Sequence, residues 1–101
     1  MITIDKTYND KIILSKKGEV IKVQLAENPT TGYLWEIEDL NSKHIHLKEN
    51  IYEISDNAIG AGGVKVFYLE IIDKGLSELK IRLCNPWEHD TVDTFKIMIE
   101  S

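Results

Sequence analysis

The chain of 101 residues has the size of one small domain, and we expect residues 1–101 to form a single folded unit. A domain of this size holds a hydrophobic core but has no room for a deep active-site cavity. Its composition, 43% hydrophobic and 29% charged, is typical of a soluble globular protein. The net charge of −5 and the lack of a basic stripe argue against nucleic acid and anionic membrane surfaces as partners.

The chain has one cysteine, Cys84, so an internal disulfide is impossible. Small extracellular domains usually depend on disulfides, and the lack of one favours a reducing compartment. The N-terminal sequence MITIDKTYND has no cationic head followed by a long apolar run, which a signal peptide requires. We therefore expect a cytoplasmic protein, with a vesicular or secreted location after processing as the alternative.

Alternation of apolar and polar residues with a period of two predicts β-strands along most of the chain. It is clearest in five segments: 19–25, 33–37, 64–72, 77–83 and 93–99. The positions that we expect on their apolar faces are Ile21, Val23, Leu25, Tyr33, Trp35, Ile37, Phe67, Leu69, Ile71, Leu79, Ile81, Leu83, Phe95, Ile97 and Ile99. The segment 39–58 predicts two short strands or one irregular strand, and a helical turn near 39–46 is a further option.

The pattern as a whole predicts about seven strands and no long helix. Because each strand has one apolar face to bury, we expect an all-β fold, an immunoglobulin-like antiparallel sandwich of two sheets. Three loops of unusual composition separate strands: 28–32, 57–63 and 85–90, here called the first, second and third loops. As the second-to-third, fourth-to-fifth and sixth-to-seventh connections of such a sandwich, these loops can gather at one end.

Each loop carries a short motif. The motifs are Asn28-Pro29-Thr30-Thr31-Gly32, then Gly60-Ala61-Gly62-Gly63 preceded by Ile59, then Asn85-Pro86-Trp87. In this order they resemble the NPTTG, GxGG and RPW motifs of the chagasin-type inhibitors of papain-family cysteine peptidases. The first two motifs match completely, whereas the third has Asn85 where the family has arginine. The resemblance spans about residues 18–99.

The resemblance implies a reversible, tight-binding inhibitor rather than an enzyme, with a papain-like cysteine peptidase as partner and no cofactor or metal. It implies that Thr30 and Thr31 enter the catalytic centre and lie nearest to the cysteine and histidine of the peptidase. The second loop would lie along the substrate groove and offer Ile59 to a hydrophobic pocket. Trp87 would stack on aromatic surface on the leaving-group side of the cleft. A monomer is sufficient for such a contact.

The chemistry of the first loop supports this reading independently. Pro29 fixes its own φ and biases Asn28 away from the helical region, while Gly32 permits a left-handed exit. A loop ordered in advance loses less entropy on binding. In the third loop, asparagine lacks the charge and reach of arginine. We therefore expect Asn85 to brace its own loop through the side-chain amide, as asparagine does in turns.

A second interpretation is an immunoglobulin-like binding module for a carbohydrate or a surface protein, with Trp87 and Tyr52 as stacking platforms. We favour the inhibitor because it explains three special loops at once. Under either interpretation, Trp87 is predicted to be exposed because proline and a carboxylate flank it. Trp35 is predicted to lie in the core because it alternates with strand residues.

Other polar residues have ordinary interpretations. His44 and His46 flank an isoleucine and are expected on a solvated surface, since nothing beside them completes a metal site. His89 and Asp90 lack a serine in a nucleophile-elbow context, which argues against a hydrolase. Cys84 is expected to be a semi-buried small residue. The acidic residues Glu36, Glu38 and Asp39 are expected to form a solvated edge.

Overall fold

Eight β-strands form the fold in the part of the chain that the computed structural model describes, residues 1–54, 62–88 and 90–101. They are β1 (Ile2–Asp5), β2 (Ile12–Leu14), β3 (Val20–Glu27), β4 (Leu34–Asp39), β5 (Ile45–Ile54), β6 (Gly63–Ile71), β7 (Leu76–Asn85) and β8 (Asp90–Glu100). Single 3-10 turns occupy Lys6–Tyr8 and Pro29–Thr31. Among these residues we find no helix with the length and apolar character needed to cross a membrane.

The strands form two four-stranded sheets, with orders β1-β3-β6-β5 and β2-β8-β7-β4. The two short N-terminal strands pair in parallel, β1 with β3 and β2 with β8, and all other neighbouring strands are antiparallel. The N-terminal segment therefore contributes one strand to each sheet. The predicted all-β sandwich is confirmed. Because this segment supplies two strands, the three loops are the third-to-fourth, fifth-to-sixth and seventh-to-eighth connections.

The core consists of the inward faces of both sheets, as the alternation predicts. Its buried members are Ile4, Ile13, Ile21, Val23, Leu25, Trp35, Ile45, Phe67, Leu69, Ile71, Leu79, Ile81, Phe95, Ile97 and Ile99. Ile37 and Leu83 are partly buried and pack against this cluster. Tyr33 is an exception, because it is half-buried outside the core and its hydroxyl reaches Asp90. The prediction of Trp35 as a core residue is confirmed.

The described part of the ambiguous segment 39–58, residues 39–54, contains a tight turn followed by one long strand. The backbone amides of His44 and Ile45 both donate to the carbonyl of Asn41, which closes the turn. β5 then pairs with β6 up to Ile54, with a register shift between Leu47 and Glu49. The bulge changes which face each later side chain takes, so the simple alternation is lost. Of the two options that the sequence left open, the structure shows the single irregular strand up to Ile54.

His44 is buried, so the prediction that it lies on a solvated surface was wrong. Its Nδ1 lies 2.6 Å from the hydroxyl of Ser77, and its Nε2 lies 2.5 Å from the hydroxyl of Ser101. That second hydroxyl donates to the carbonyl of Asp73, so it accepts from His44. Both ring nitrogens therefore have partners, which allows an imidazole to be buried there. His46 is exposed, as expected.

β4 is the outer strand of its sheet, and its carboxylates lie at that edge. Glu36 pairs with Arg82, and Glu38 lies 3.5 Å from the ammonium of Lys80. Cys84 is buried more deeply than predicted. Burial raises the pKa of the Cys84 thiol, and the carboxylate of Glu36 raises it further. A neutral, covered thiol is a packing group rather than a nucleophile.

Candidate functional site

The first and third loops meet at one end of the sandwich, where β3 passes into β4 and β7 into β8. A Cβ atom placed on Gly32, at the end of the first loop, would lie 3.5 Å from the side-chain nitrogen of Asn85, at the start of the third. The end of the second loop is equally close, since a Cβ on Gly62 would lie 2.5 Å from the carbonyl oxygen of Glu27. The described parts of all three motif loops thus lie together.

The first loop is held in shape by its own side chains. Asn28 Oδ1 accepts from the backbone amide of Thr30 at 3.2 Å and from its hydroxyl at 2.7 Å. The hydroxyl of Thr31 donates to the carbonyl of Asn28 at 2.8 Å. Pro29 begins the 3-10 turn, and Gly32 ends it in the left-handed region with φ of 82°. These internal bonds make the loop stiff. Thr30 and Thr31 are exposed, so the loop is turned toward solvent.

Glu27 and Trp35 fasten the root of the first loop, although the sequence analysis did not single out Glu27. Glu27 is only 5% exposed, and its Oε1 accepts from the backbone amide of Trp35 at 2.6 Å. The indole Nε1 of Trp35 donates to the carbonyl of Ala26 at 2.8 Å. A signal was available in the sequence, because Glu27 continues the inward alternation of Val23 and Leu25 directly before the motif.

The second loop is described only at its end, and Ile59, Gly60 and Ala61 lie outside the described residues. Gly62 has φ of 83° and packs on the root of the first loop. Gly63 begins β6, and a Cβ there would lie 1.9 Å from the carbonyl of Glu53. These two glycines are therefore required by the packing around them. Their contact with a peptidase groove stays a prediction.

The third loop is organised by Asn85. Its Oδ1 accepts from the backbone amide of Trp87 at 2.9 Å and from that of Glu88 at 3.4 Å. The expectation that Asn85 braces its own loop is thus confirmed. Pro86 is exposed and Trp87 is 89% exposed, which confirms the predicted exposure of the tryptophan. The pairing of His89 with Asp90 cannot be placed, since His89 lies outside the described residues.

Tyr33 connects the first loop to the third. Its hydroxyl lies 3.4 Å from Asp90 Oδ2, at the start of β8. Burial raises the pKa of the Tyr33 phenol, and the negative charges of Asp90 and Glu88 raise it further. The phenol therefore stays neutral and keeps its hydrogen for Asp90 at physiological pH. This contact ties the exit of one loop to the end of the other.

Residues 15–99, which include all three motifs, match the family model described as Chagasin family peptidase inhibitor I42. The chain belongs to the chagasin family of peptidase inhibitors. Chagasin from Trypanosoma cruzi is 26% identical over 95% of this chain and 92% of its own length. The family is one of inhibitors and not of enzymes.

Solved structures confirm the immunoglobulin-like sandwich of this chagasin-family chain. The cysteine protease inhibitor EhICP2 from Entamoeba histolytica superposes with a TM-score of 0.85 at 18% identity, covering 98% of this chain and 92% of its own. PbICP-C, solved in complex with falcipain-2, superposes with a TM-score of 0.60 at 14% identity, covering 98% and 88%. At these identities the likeness concerns the fold.

Proposed function

We propose that the chain inhibits papain-family cysteine peptidases reversibly, by placing its three motif loops in the active-site cleft. The observation that carries the proposal is the convergence of the described parts of the loops at one end of the sandwich. There, a stiff turn with two exposed threonines lies beside a tryptophan that is 89% exposed. An exposed indole of this size is unfavourably hydrated in the free protein. A partner that covers it removes this apolar surface from water, which favours binding.

The first loop is suited to a papain-like catalytic centre. Such a centre pairs a thiolate with an imidazolium and attacks a carbonyl presented in line. An inhibitor must fill the centre without offering a well-aligned scissile bond. The contacts of Asn28 with Thr30 and Thr31 hold the loop in a closed 3-10 turn. A turn of this shape differs from the extended backbone that a peptidase cleaves, and its internal bonds preserve it on binding.

The other two loops extend the contact on either side of the first. Trp87 is the side chain best suited to anchor the interface, because tryptophan dominates hot spots when it is covered at an interface centre. In the second loop we assign Ile59 to a hydrophobic pocket and Gly60, Ala61, Gly62 and Gly63 to the groove wall. A single chain is sufficient, since a protease–inhibitor contact of ordinary size buries about 800 Å² of each partner.

Two observations support the inhibitor over a carbohydrate-binding module. The relative PbICP-C was solved in complex with falcipain-2, and it shares the fold of this chain. In addition, Tyr52 is poorly placed as a stacking platform. It is half-buried, and its hydroxyl lies 3.4 Å from the carbonyl of Glu27. Of the two aromatic residues that such a module would use, only Trp87 is freely presented.

The proposal is tested by titrating the protein into papain with a fluorogenic peptide substrate. We expect complete inhibition near stoichiometric amounts, recovery of activity on dilution, and intact inhibitor on a gel. No inhibition of several papain-like enzymes by a folded sample would refute it.

The chain offers a matched pair of variants for this assay. Asp5 Oδ1 accepts from the amide and hydroxyl of Thr7, as Asn28 does from Thr30. Thr30→Ala and Thr7→Ala therefore remove the same kind of bond inside and outside the motif loops. We expect Thr30→Ala to weaken inhibition of papain and Thr7→Ala to leave it unchanged.

A further inference from the structure

Glu27 is a buried carboxylate in a position where the alternation of β3 calls for an apolar residue. The three preceding inward positions, Ile21, Val23 and Leu25, all belong to the core. Burial of a carboxylate is costly unless its oxygens are hydrogen-bonded. At the root of the first loop, Glu27 Oε1 accepts from the amide of Trp35 at 2.6 Å, and among the described residues no buried side-chain oxygen lacks a partner.

The Glu27–Trp35 bond joins the two strands that flank the first loop. Its partners are eight positions apart in the sequence, one in β3 and one in β4, and these strands belong to different sheets. Neither sheet ladder therefore fixes the distance between them. The bond from the Trp35 indole to the Ala26 carbonyl also connects β4 to β3, one residue before Glu27. Together the two bonds set the width of the opening from which the loop emerges.

The backbone of Glu27 also supports the second loop. Its carbonyl oxygen receives the Tyr52 hydroxyl at 3.4 Å, and it lies against Gly62 so closely that a Cβ there would approach to 2.5 Å. Gly63 pairs with Glu27 across β3 and β6. A change in the position of Glu27 would therefore move the first loop and the end of the second together.

We propose that Glu27 is a positioning residue of the inhibitory site: its carboxylate holds the first loop at the angle needed to enter the peptidase, without contacting the peptidase itself. This inference rests on the proposed function. It assigns a role in affinity to a residue outside the three motifs. The feature required of the side chain is an acceptor oxygen at the reach of glutamate.

The requirement for an acceptor at this reach distinguishes three variants. Glutamine keeps an oxygen at the same reach, so Glu27→Gln should inhibit papain within about threefold of the wild type. Alanine has no acceptor and aspartate is one methylene too short. Glu27→Ala and Glu27→Asp should therefore weaken inhibition by about tenfold or more.

Ser77→Ala is the matched control for a loss of stability alone. It also removes one buried hydrogen bond, from the Ser77 hydroxyl to His44, but at the opposite end of the sandwich. Ser77 lies about 26 Å along β7 from Asn85, at roughly 3.3 Å per residue. We expect Ser77→Ala to lower the melting temperature as Glu27→Ala does, while its inhibition of papain is unchanged at 25 °C.

A second readout does not depend on inhibition. Amide hydrogen exchange and ¹⁵N relaxation of Thr30, Thr31 and Gly32 report the order of the first loop in the free protein. We expect Glu27→Ala to raise exchange and mobility at these amides, and Glu27→Gln and Ser77→Ala to leave them unchanged. Wild-type values in Glu27→Ala would overturn the inference, even if inhibition were lost. If the wild type fails to inhibit papain but the loop amides respond as expected, the positioning of the loop stands and the proposed function falls.

Discussion

Replacement of Trp87 by alanine is the most direct test of where the binding energy lies. A tryptophan side chain buries about 150–250 Å² when it is covered. Because 89% of Trp87 is exposed in the free protein, about 130–220 Å² is available for a partner to remove from water. At about 25 cal/mol per Å², burial of this area has an upper limit of about 3–5.5 kcal/mol.

The measured loss should be smaller than this limit, because alanine keeps the Cβ and the partner covers only part of the ring. We expect Trp87→Ala to cost about 2–4 kcal/mol of binding free energy, the range of a hot spot. That corresponds to an inhibition constant raised about 30-fold to several hundredfold. Stability should change by less than about 0.5 kcal/mol. The bond from the Trp87 amide to Asn85 is retained, since it uses the backbone.

The inhibition constant for papain and the thermal melting of the variant provide the two measurements. Leu76→Ala is a suitable control, since Leu76 is also a large exposed side chain but lies at the far end of β7 and pairs with Glu100. It should leave the inhibition constant unchanged. If Trp87→Ala inhibits as well as Leu76→Ala does, the exposed indole is not an anchor and the reasoning is refuted.

Substitutions at three further residues, Asn85, Gly62 and His44, test other contacts described above. Asn85→Ala should weaken inhibition about fivefold or more, because the third loop loses its internal acceptor. Asn85→Asp keeps an acceptor oxygen, so its inhibition constant should stay within about threefold of the wild type. Equal inhibition constants for the two variants would refute the role of Asn85 as a brace. Gly62→Ala should lower the free energy of unfolding, measured in urea, by about 3 kcal/mol or more, because the new Cβ would crowd the carbonyl of Glu27. Gly18 has a similar φ but open space around it, so Gly18→Ala should lower the free energy of unfolding by only about 1–2 kcal/mol. Equal losses would show that the crowding at Gly62 is relieved without cost. His44→Ala should cost about 2–4 kcal/mol of stability because it opens a cavity and leaves the buried Ser77 hydroxyl unpaired, while inhibition at 25 °C is unchanged. An unchanged melting temperature would contradict that burial.

Alternation predicted the long strands because each buries one face, and this signal persists over many residues. It gave no prediction for β1 and β2, which have four and three residues and pair in parallel at sheet edges. Strands of that length contain too few alternations to be recognised. In β5, the bulge between Leu47 and Glu49 interrupted the pattern for a similar reason. The sequence therefore predicted the fold class and left three of the four edge strands, β1, β2 and β5, unresolved.

The exposed residues of the site were predicted from the sequence, whereas part of its supporting contacts was not. The motifs identified the exposed residues, including Trp87, because those residues carry unusual chemistry in a fixed order. The brace at Asn85 was predicted because its partners are its sequence neighbours, whereas Glu27 and His44 were missed because only the fold brings their partners to them. His44 binds hydroxyls 33 and 57 positions away, and only the folded chain brings them together. Glu27 was assigned no role from the sequence, although its place in the alternation pointed inward.

The hydroxyl groups of the first loop have a direction that limits what can face them. Thr30 gives its hydroxyl hydrogen to Asn28 Oδ1, and Thr31 gives its own to the Asn28 carbonyl. A hydroxyl has one hydrogen and two lone pairs. Thr31 Oγ1 also accepts from the backbone amide of Tyr33 at 3.3 Å, so Thr30 has two lone pairs and Thr31 one left to offer a partner, and both hydroxyls face it as acceptors. A protonated imidazole or a backbone amide complements these two oxygens, whereas a carboxylate would find neither hydroxyl hydrogen free to accept.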